Sequence, residues 1–253
     1  MQDKLNHLPE KTRDLIVKFT ETLIDSFGQK LYSFMLFGSV VRSAKQNGNG
    51  FKEGVSDINS VIILESVTTR ELNLIGEIGR KFKNSGLAIP LVFGRNHIAA
   101  SLDTFPLEFS DMKQHHIVLH GSDPLEHAKI ETKNLRHQCE VEFKGQLVQL
   151  RRGYLAARED QEMLTSLISS SVTSVIAACR GMAQIAGKIS PDNKTDLCKL
   201  IRESYNIDTT PIEDALRIKH GEHGGATAAL EILFDKYLAV VEKLADVVDG
   251  MPS

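Results

Sequence analysis

The stretch that most constrains this chain runs from Phe34 to Leu64, FMLFGSVVRSAKQNGNGFKEGVSDINSVIIL. An apolar run meets Gly38-Ser39, Arg42 follows three residues on, and Asp57-Ile58-Asn59 opens a second apolar run. Between them, Gly48, Gly50 and Gly54 with Asn47 and Asn49 are turn residues, so 44–56 reads as a loop joining two strands. Alternation along a strand has a period of two. Asp57 and Asn59 therefore share one face, and Ile58 takes the other. A polar pair at the mouth of an otherwise hydrophobic strand suits a metal or phosphate site.

The same arrangement resembles the nucleotidyltransferase superfamily, whose pattern is a strand, Gly-Ser, a spacer, and then Asp-x-Asp or Asp-x-Glu on the next strand. The resemblance covers mainly residues 31–112, and the second acid of the pattern is here Asn59. It implies transfer of a nucleoside monophosphate from a nucleoside triphosphate to a hydroxyl of a small-molecule or protein acceptor, assisted by Mg²⁺. Gly38, Ser39 and Arg42 are then the nucleotide-binding residues: a turn of small residues admits phosphate oxygens to backbone N–H groups, and arginine adds charge. Asp57 and Asn59 are implied as metal ligands. Glu108, in FPLEFSDM, is implied as the third acid, a ligand or a general base, with Asp57 and Glu108 the catalytic pair. With Phe105–Met112 read as a strand, Asp111 faces away from Glu108. Mg²⁺ prefers hard, anionic oxygen ligands, and Asn59 offers a neutral carbonyl oxygen, so the site carries one negative charge fewer than the pattern. The alternative reading keeps the fold as a catalytically weakened or inactive nucleotide-binding protein, or as a toxin–antitoxin-type interaction protein working through its helical half.

Taken in order, the chain opens with an amphipathic helix over 9–27, with Gly28 placed as a C-terminal cap. A strand over Leu31–Phe37 follows, then the loop and a strand over Asp57–Leu64. Thr68 and Glu71 stand in capping-box spacing before a helix to about Asn84. A third strand is expected over Leu87–Phe93, with Pro90 pointing to an edge position. A short helix over Asn96–Leu102, the FPLEFSDM strand and a strand over His116–His120 complete this half. From Glu131 amphipathic helices take over, at roughly 131–157, 159–187, 194–206, 211–220 and 226–249. The expected fold class is α+β: a mixed-sheet, nucleotidyltransferase-like domain over 1–125, followed by an all-α helical bundle over 126–253.

Other side chains read as structural. His115, His116 and His120 surround a short apolar run with no acid or cysteine expected nearby to complete a zinc set, which marks them as surface or interdomain histidines. His220 and His223 suit a helix C-terminus. Between Lys133 and Arg158 the basic residues outnumber the acids; this reads as a solvated helix face with pairs such as Glu140–Lys144, the alternative being a cleft wall facing a nucleotide's phosphates, with Arg136 its candidate.

The net charge of -3 disfavours a nucleic-acid partner, since phosphate binding is ordinarily carried by a basic balance. Cys139, Cys179 and Cys198 form no C-x-x-C pair and fit buried thiols in a reducing compartment. With no signal-like N-terminus and no run judged long enough to span a membrane, the expected location is cytoplasmic.

Overall fold

A computed structural model describes residues 2–42, 57–158, 160–221 and 227–251. The loop expected over 44–56 and the turn at His223–Gly225 lie outside these residues. The fold is α+β, a four-stranded mixed sheet near the N-terminus followed by helices. The chain divides into two compact units: Met1–Leu102 with Glu108–Lys129, and Asp103–Leu107 with Ile130–Ser253.

In the first unit, α1 (Glu10–Phe27) buries Ile16, Phe19, Leu23 and Phe27 on one face. Gly28, at φ 51°, ends it, and its N–H donates to the Ile24 carbonyl. Strand β1 (Leu31–Phe37) leads through Gly38 into one helical turn, α2 (Ser39–Arg42). Strand β2 (Asn59–Leu64) returns antiparallel to β1, with Phe37 opposite Asn59. Helix α3 (Thr69–Lys81) is capped by the Thr68 hydroxyl, which accepts from the Arg70 N–H. Strand β3 (Leu91–Gly94) runs parallel to β2. It is shorter than Leu87–Phe93, because Leu87 makes only an isolated bridge to Ile58 before Pro90. Helices α4 (His97–Ala100) and α5 (Pro106–Gln114) precede β4 (His116–Gly121), which pairs antiparallel with β1. The strand order is β3-β2-β1-β4, so the Pro90-bearing segment does lead into an edge strand.

One sheet face buries Phe34, Leu36, Ile58, Ile62, Leu64 and Leu119 against Phe19 and Leu23 of α1 and Ile75 and Ile78 of α3. Each such large side chain contributes about 1.5–3 kcal/mol when fully buried. The opposite face carries Met35, Val61 and Ile63, also buried. Phe93 lies on that second face, being registered with Ile63, and its ring meets Phe109 of α5 edge-on at 6.3 Å. Helix α5 thus reaches the face that alternation assigns to Asn59, the first residue of β2; Asp57, expected in the same strand, lies before it.

The segment read as a fourth strand, Phe105–Met112, is therefore helical. Pro106 occupies the first helical position, where its missing N–H costs nothing. Phe109 and Met112, three apart, are both buried. The alternation of Phe105, Leu107 and Phe109 imitates a strand, whereas burial follows the helical spacing.

The second unit holds α6 (Thr132–Ala157), α7 (Gln161–Ile185), α8 (Lys194–Tyr205), α9 (Thr210–Lys219) and α10 (Thr227–Asp249). Leu135, Cys139, Phe143, Leu147 and Leu150 of α6 join Val172, Val175 and Cys179 of α7 in one core with Tyr237, Val241 and Leu244 of α10. Gly181 permits close packing there: a Cβ on it would lie 2.4 Å from Leu107 Cδ2 and 2.5 Å from Cys139 Sγ. The helix face of α6 carries the expected Glu140–Lys144 pair at 2.7 Å, and Arg136, not expected there, donates to the same carboxylate at 3.0 Å. Helix α7 corrects one expectation. At 25 residues it is long and apolar enough to cross a membrane by length and composition alone. Its Ile168, Val172, Val175 and Met182 are buried in the bundle core.

Candidate functional site

The polar side chains of interest gather at one end of the sheet. Across it, Asn59, Phe37 and His116 form a row, because Phe37 is registered with Asn59 on one side and His116 on the other. Immediately beyond Phe37 the chain turns at Gly38, whose φ of 81° is a conformation that L side chains rarely adopt. A Cβ at this position would stand 3.3 Å from the Asn59 side-chain nitrogen. The Gly38 turn and Asn59 are therefore in close approach. Ser39 is half-buried at the start of α2, and the carbonyl of Gly38 accepts from the N–H groups of Val41 and Arg42. Asp57 is exposed, one residue before the bridge between Ile58 and Leu87.

Helix α5 supplies the counterpart to Arg42. The Arg42 guanidinium donates from one terminal nitrogen to both carboxylate oxygens of Asp111. Asp111 in turn lies 3.5 Å from His115 Nδ1, and the His115 side chain is only 4% exposed. His116 lies half-buried at the start of β4. Its Nδ1 is 2.9 Å from the Met112 carbonyl and its Nε2 is 3.0 Å from Asp123 Oδ2. Each nitrogen of its ring thus faces an oxygen.

These positions revise the sequence reading in two respects. Residues 108 and 111 of a helix are neighbours on its surface, so Asp111 is not turned away from Glu108 as it would be on a strand. Glu108 is exposed in the first turn of α5, whereas Asp111 is half-buried and paired with Arg42. Nor are His115 and His116 surface histidines; both sit inside the N-terminal unit beside carboxylates. Asp111 and Asp123 were missed as their partners. Pro106 was the available signal for a helix, but nothing local links Arg42 to a residue 69 positions away.

Among the described residues, no three His, Cys, Asp or Glu side chains are grouped so as to hold a metal ion. The donor set at the strand mouth, one carboxylate and one amide oxygen, does not fit two closely spaced cations. Its chemistry would suit no more than one hard cation that keeps several waters. Comparison with protein-family models and with curated proteins gave no match to this chain.

Proposed function

We propose that the N-terminal unit is a nucleotidyltransferase-like domain that binds a nucleoside triphosphate and moves its nucleoside monophosphate onto a hydroxyl of a small-molecule or protein acceptor. The observation that supports this reading is the continuity of β1, the Gly38-Ser39 turn and the antiparallel β2, with Asn59 held against Gly38 and Asp57 exposed beside it. In it, the backbone and hydroxyl donors of Gly38 and Ser39 receive phosphate oxygens, and Arg42 belongs to the same turn. The Asp57 carboxylate and the Asn59 side-chain oxygen would hold one Mg²⁺, whose contribution is to neutralise phosphate charge. Of the two α5 acids Glu108 is the exposed one and Asp111 is paired with Arg42, so Glu108 takes the role of ligand or base toward an acceptor.

A second reading, nucleotide binding without turnover, is favoured by one observation: the side chain beside Gly38 is an amide where the resembled pattern has an acid. Calorimetric titration of ATP, CTP, GTP and UTP, with and without Mg²⁺, on the native chain and on Asp57→Ala tests both. No binding under any condition removes both readings. Binding that ignores Mg²⁺ and the Asp57 substitution leaves the transferase without support. Tighter Mg²⁺-dependent binding by Asn59→Asp is the expected result if the two side chains share an ion.

A further inference from the structure

We propose that Arg42 and Asp111 form a positioning pair, in which Asp111 holds the Gly38-Ser39 turn in place through Arg42 and Arg42 is not itself a phosphate ligand. The inference rests on the nucleotide-binding reading of that turn and assigns Arg42 a different task within it.

A helical turn of four residues has almost no stability of its own, since fixing its backbone costs more entropy than its hydrogen bonds return. Something outside α2 must hold it. Val40 and Val41 are buried beneath it, and His7 Nε2 lies 3.0 Å from the Val40 carbonyl. At its C-terminal end the hold comes from Arg42, whose guanidinium grips both oxygens of Asp111.

The pair is partly withdrawn from water, with side-chain exposures of 19% for Arg42 and 29% for Asp111. Asp111 is fixed from behind as well. The His115 N–H donates to the Asp111 carbonyl at 3.0 Å, and the His115 ring lies against both that carbonyl and the carboxylate. The next residue, His116, is registered with Phe37. Contacts therefore run in a closed ring, from Phe37 through Gly38 and α2 to Arg42, on to Asp111 and His115, and back through His116 to Phe37. The pair is the link of this ring that joins α2 to α5.

Charge points the same way. The carboxylate beside the guanidinium cancels most of its field, so Arg42 offers an incoming polyphosphate little net attraction.

Pyrophosphate and Mg²⁺–ATP are titrated calorimetrically into the full chain as wild type, Arg42→Ala, Asp111→Ala and the charge-swapped double variant Arg42→Asp/Asp111→Arg. A positioning pair predicts about fivefold weaker binding in each single variant, the scale of one partly buried ion pair, and recovery in the swap. Direct ligation by Arg42 predicts unchanged or tighter binding in Asp111→Ala and no recovery in the swap; either result overturns the proposal. Hydrogen exchange at the Val41 and Arg42 amides gives an independent reading. Faster exchange in each single variant, restored in the swap, supports the pair, and unchanged exchange overturns it. Asp111→Asn, which keeps shape but drops the charge, serves in the exchange measurement if a swapped chain fails to fold. Should wild type bind no nucleotide or pyrophosphate, the nucleotide reading of the turn fails, while the exchange data still decide whether the pair holds it.

Discussion

Gly38→Ala isolates the contact on which the site's geometry depends. Two costs act at this position. The first is backbone strain: holding an L residue near φ 81° costs about 1–2 kcal/mol, partly offset by the stiffer unfolded chain. The second is the new methyl group, 3.3 Å from Asn59 Nδ2, which obliges that side chain to give way by a few tenths of an ångström. Gly86 separates the two, because it sits at φ 90° with nothing within 4 Å of a Cβ. Gly86→Ala should therefore cost about 1 kcal/mol, the net strain alone. Gly38→Ala should cost about 1 kcal/mol more, the low end of overpacking for a half-buried, rotatable neighbour. Adding Asn59→Ala to Gly38→Ala should return that excess as a coupling energy of about 0.5–1 kcal/mol. Urea denaturation followed by circular dichroism measures all three, and a constant slope across the variants licenses the comparison. If Gly38→Ala is no more costly than Gly86→Ala, or if removing the Asn59 amide brings no relief, the close approach of turn and strand is wrong.

Three other outcomes are expected. Gly121→Ala places a Cβ 2.0 Å from the Tyr32 carbonyl oxygen, a clash with backbone that no rotamer relieves, at φ 76°. It should destabilise by about 3 kcal/mol or more, read as a shift in the urea midpoint or as failure to recover folded protein. Burial pushes the Cys139 and Cys198 thiols up to about 12 and Cys179 well above its ordinary value, so a thiol reagent at pH 8 should label none in the native chain and all in denaturant. The Thr68 hydroxyl donating to Glu71, with Lys30 beside it, holds that carboxyl down to about 2 against the opposing effect of burial. A depressed carboxylate adds stability that is whole above its ordinary 4.5 and lost as pH falls through about 2. Chemical denaturation between pH 5 and 2 should then show a decline that Glu71→Gln flattens.

The second half of the chain was readable from sequence because a helix that buries one face repeats its apolar residues at a fixed spacing. Leu135, Cys139, Phe143, Leu147 and Leu150 show that spacing, and all five are buried. Helix α1 and its glycine cap, Thr68 as the cap of α3, and the two apolar strands flanking Gly38 were equally local, each set by neighbours a few residues apart. The FPLEFSDM segment misled because eight residues are too few to separate a period of two from one of 3.6. Burial by Phe93 and the sheet selected the helix.

Sequence alone therefore determined the α+β class, the Gly38-Ser39 turn, and the placement of Asp57 and Asn59 at the mouth of a strand. Those features depend on conformational preferences within a single segment. Which acid meets Arg42 was decided only in three dimensions. Glu108 and Asp111 are both carboxylates on one short helix, with no local feature to rank them. The choice came from α5 lying over the sheet, which leaves Glu108 exposed and sets Asp111 between a guanidinium from α2 and the buried ring of His115. An ion pair spanning 69 residues is fixed by the packing of the elements that carry it, and periodicity along the chain holds no record of that packing.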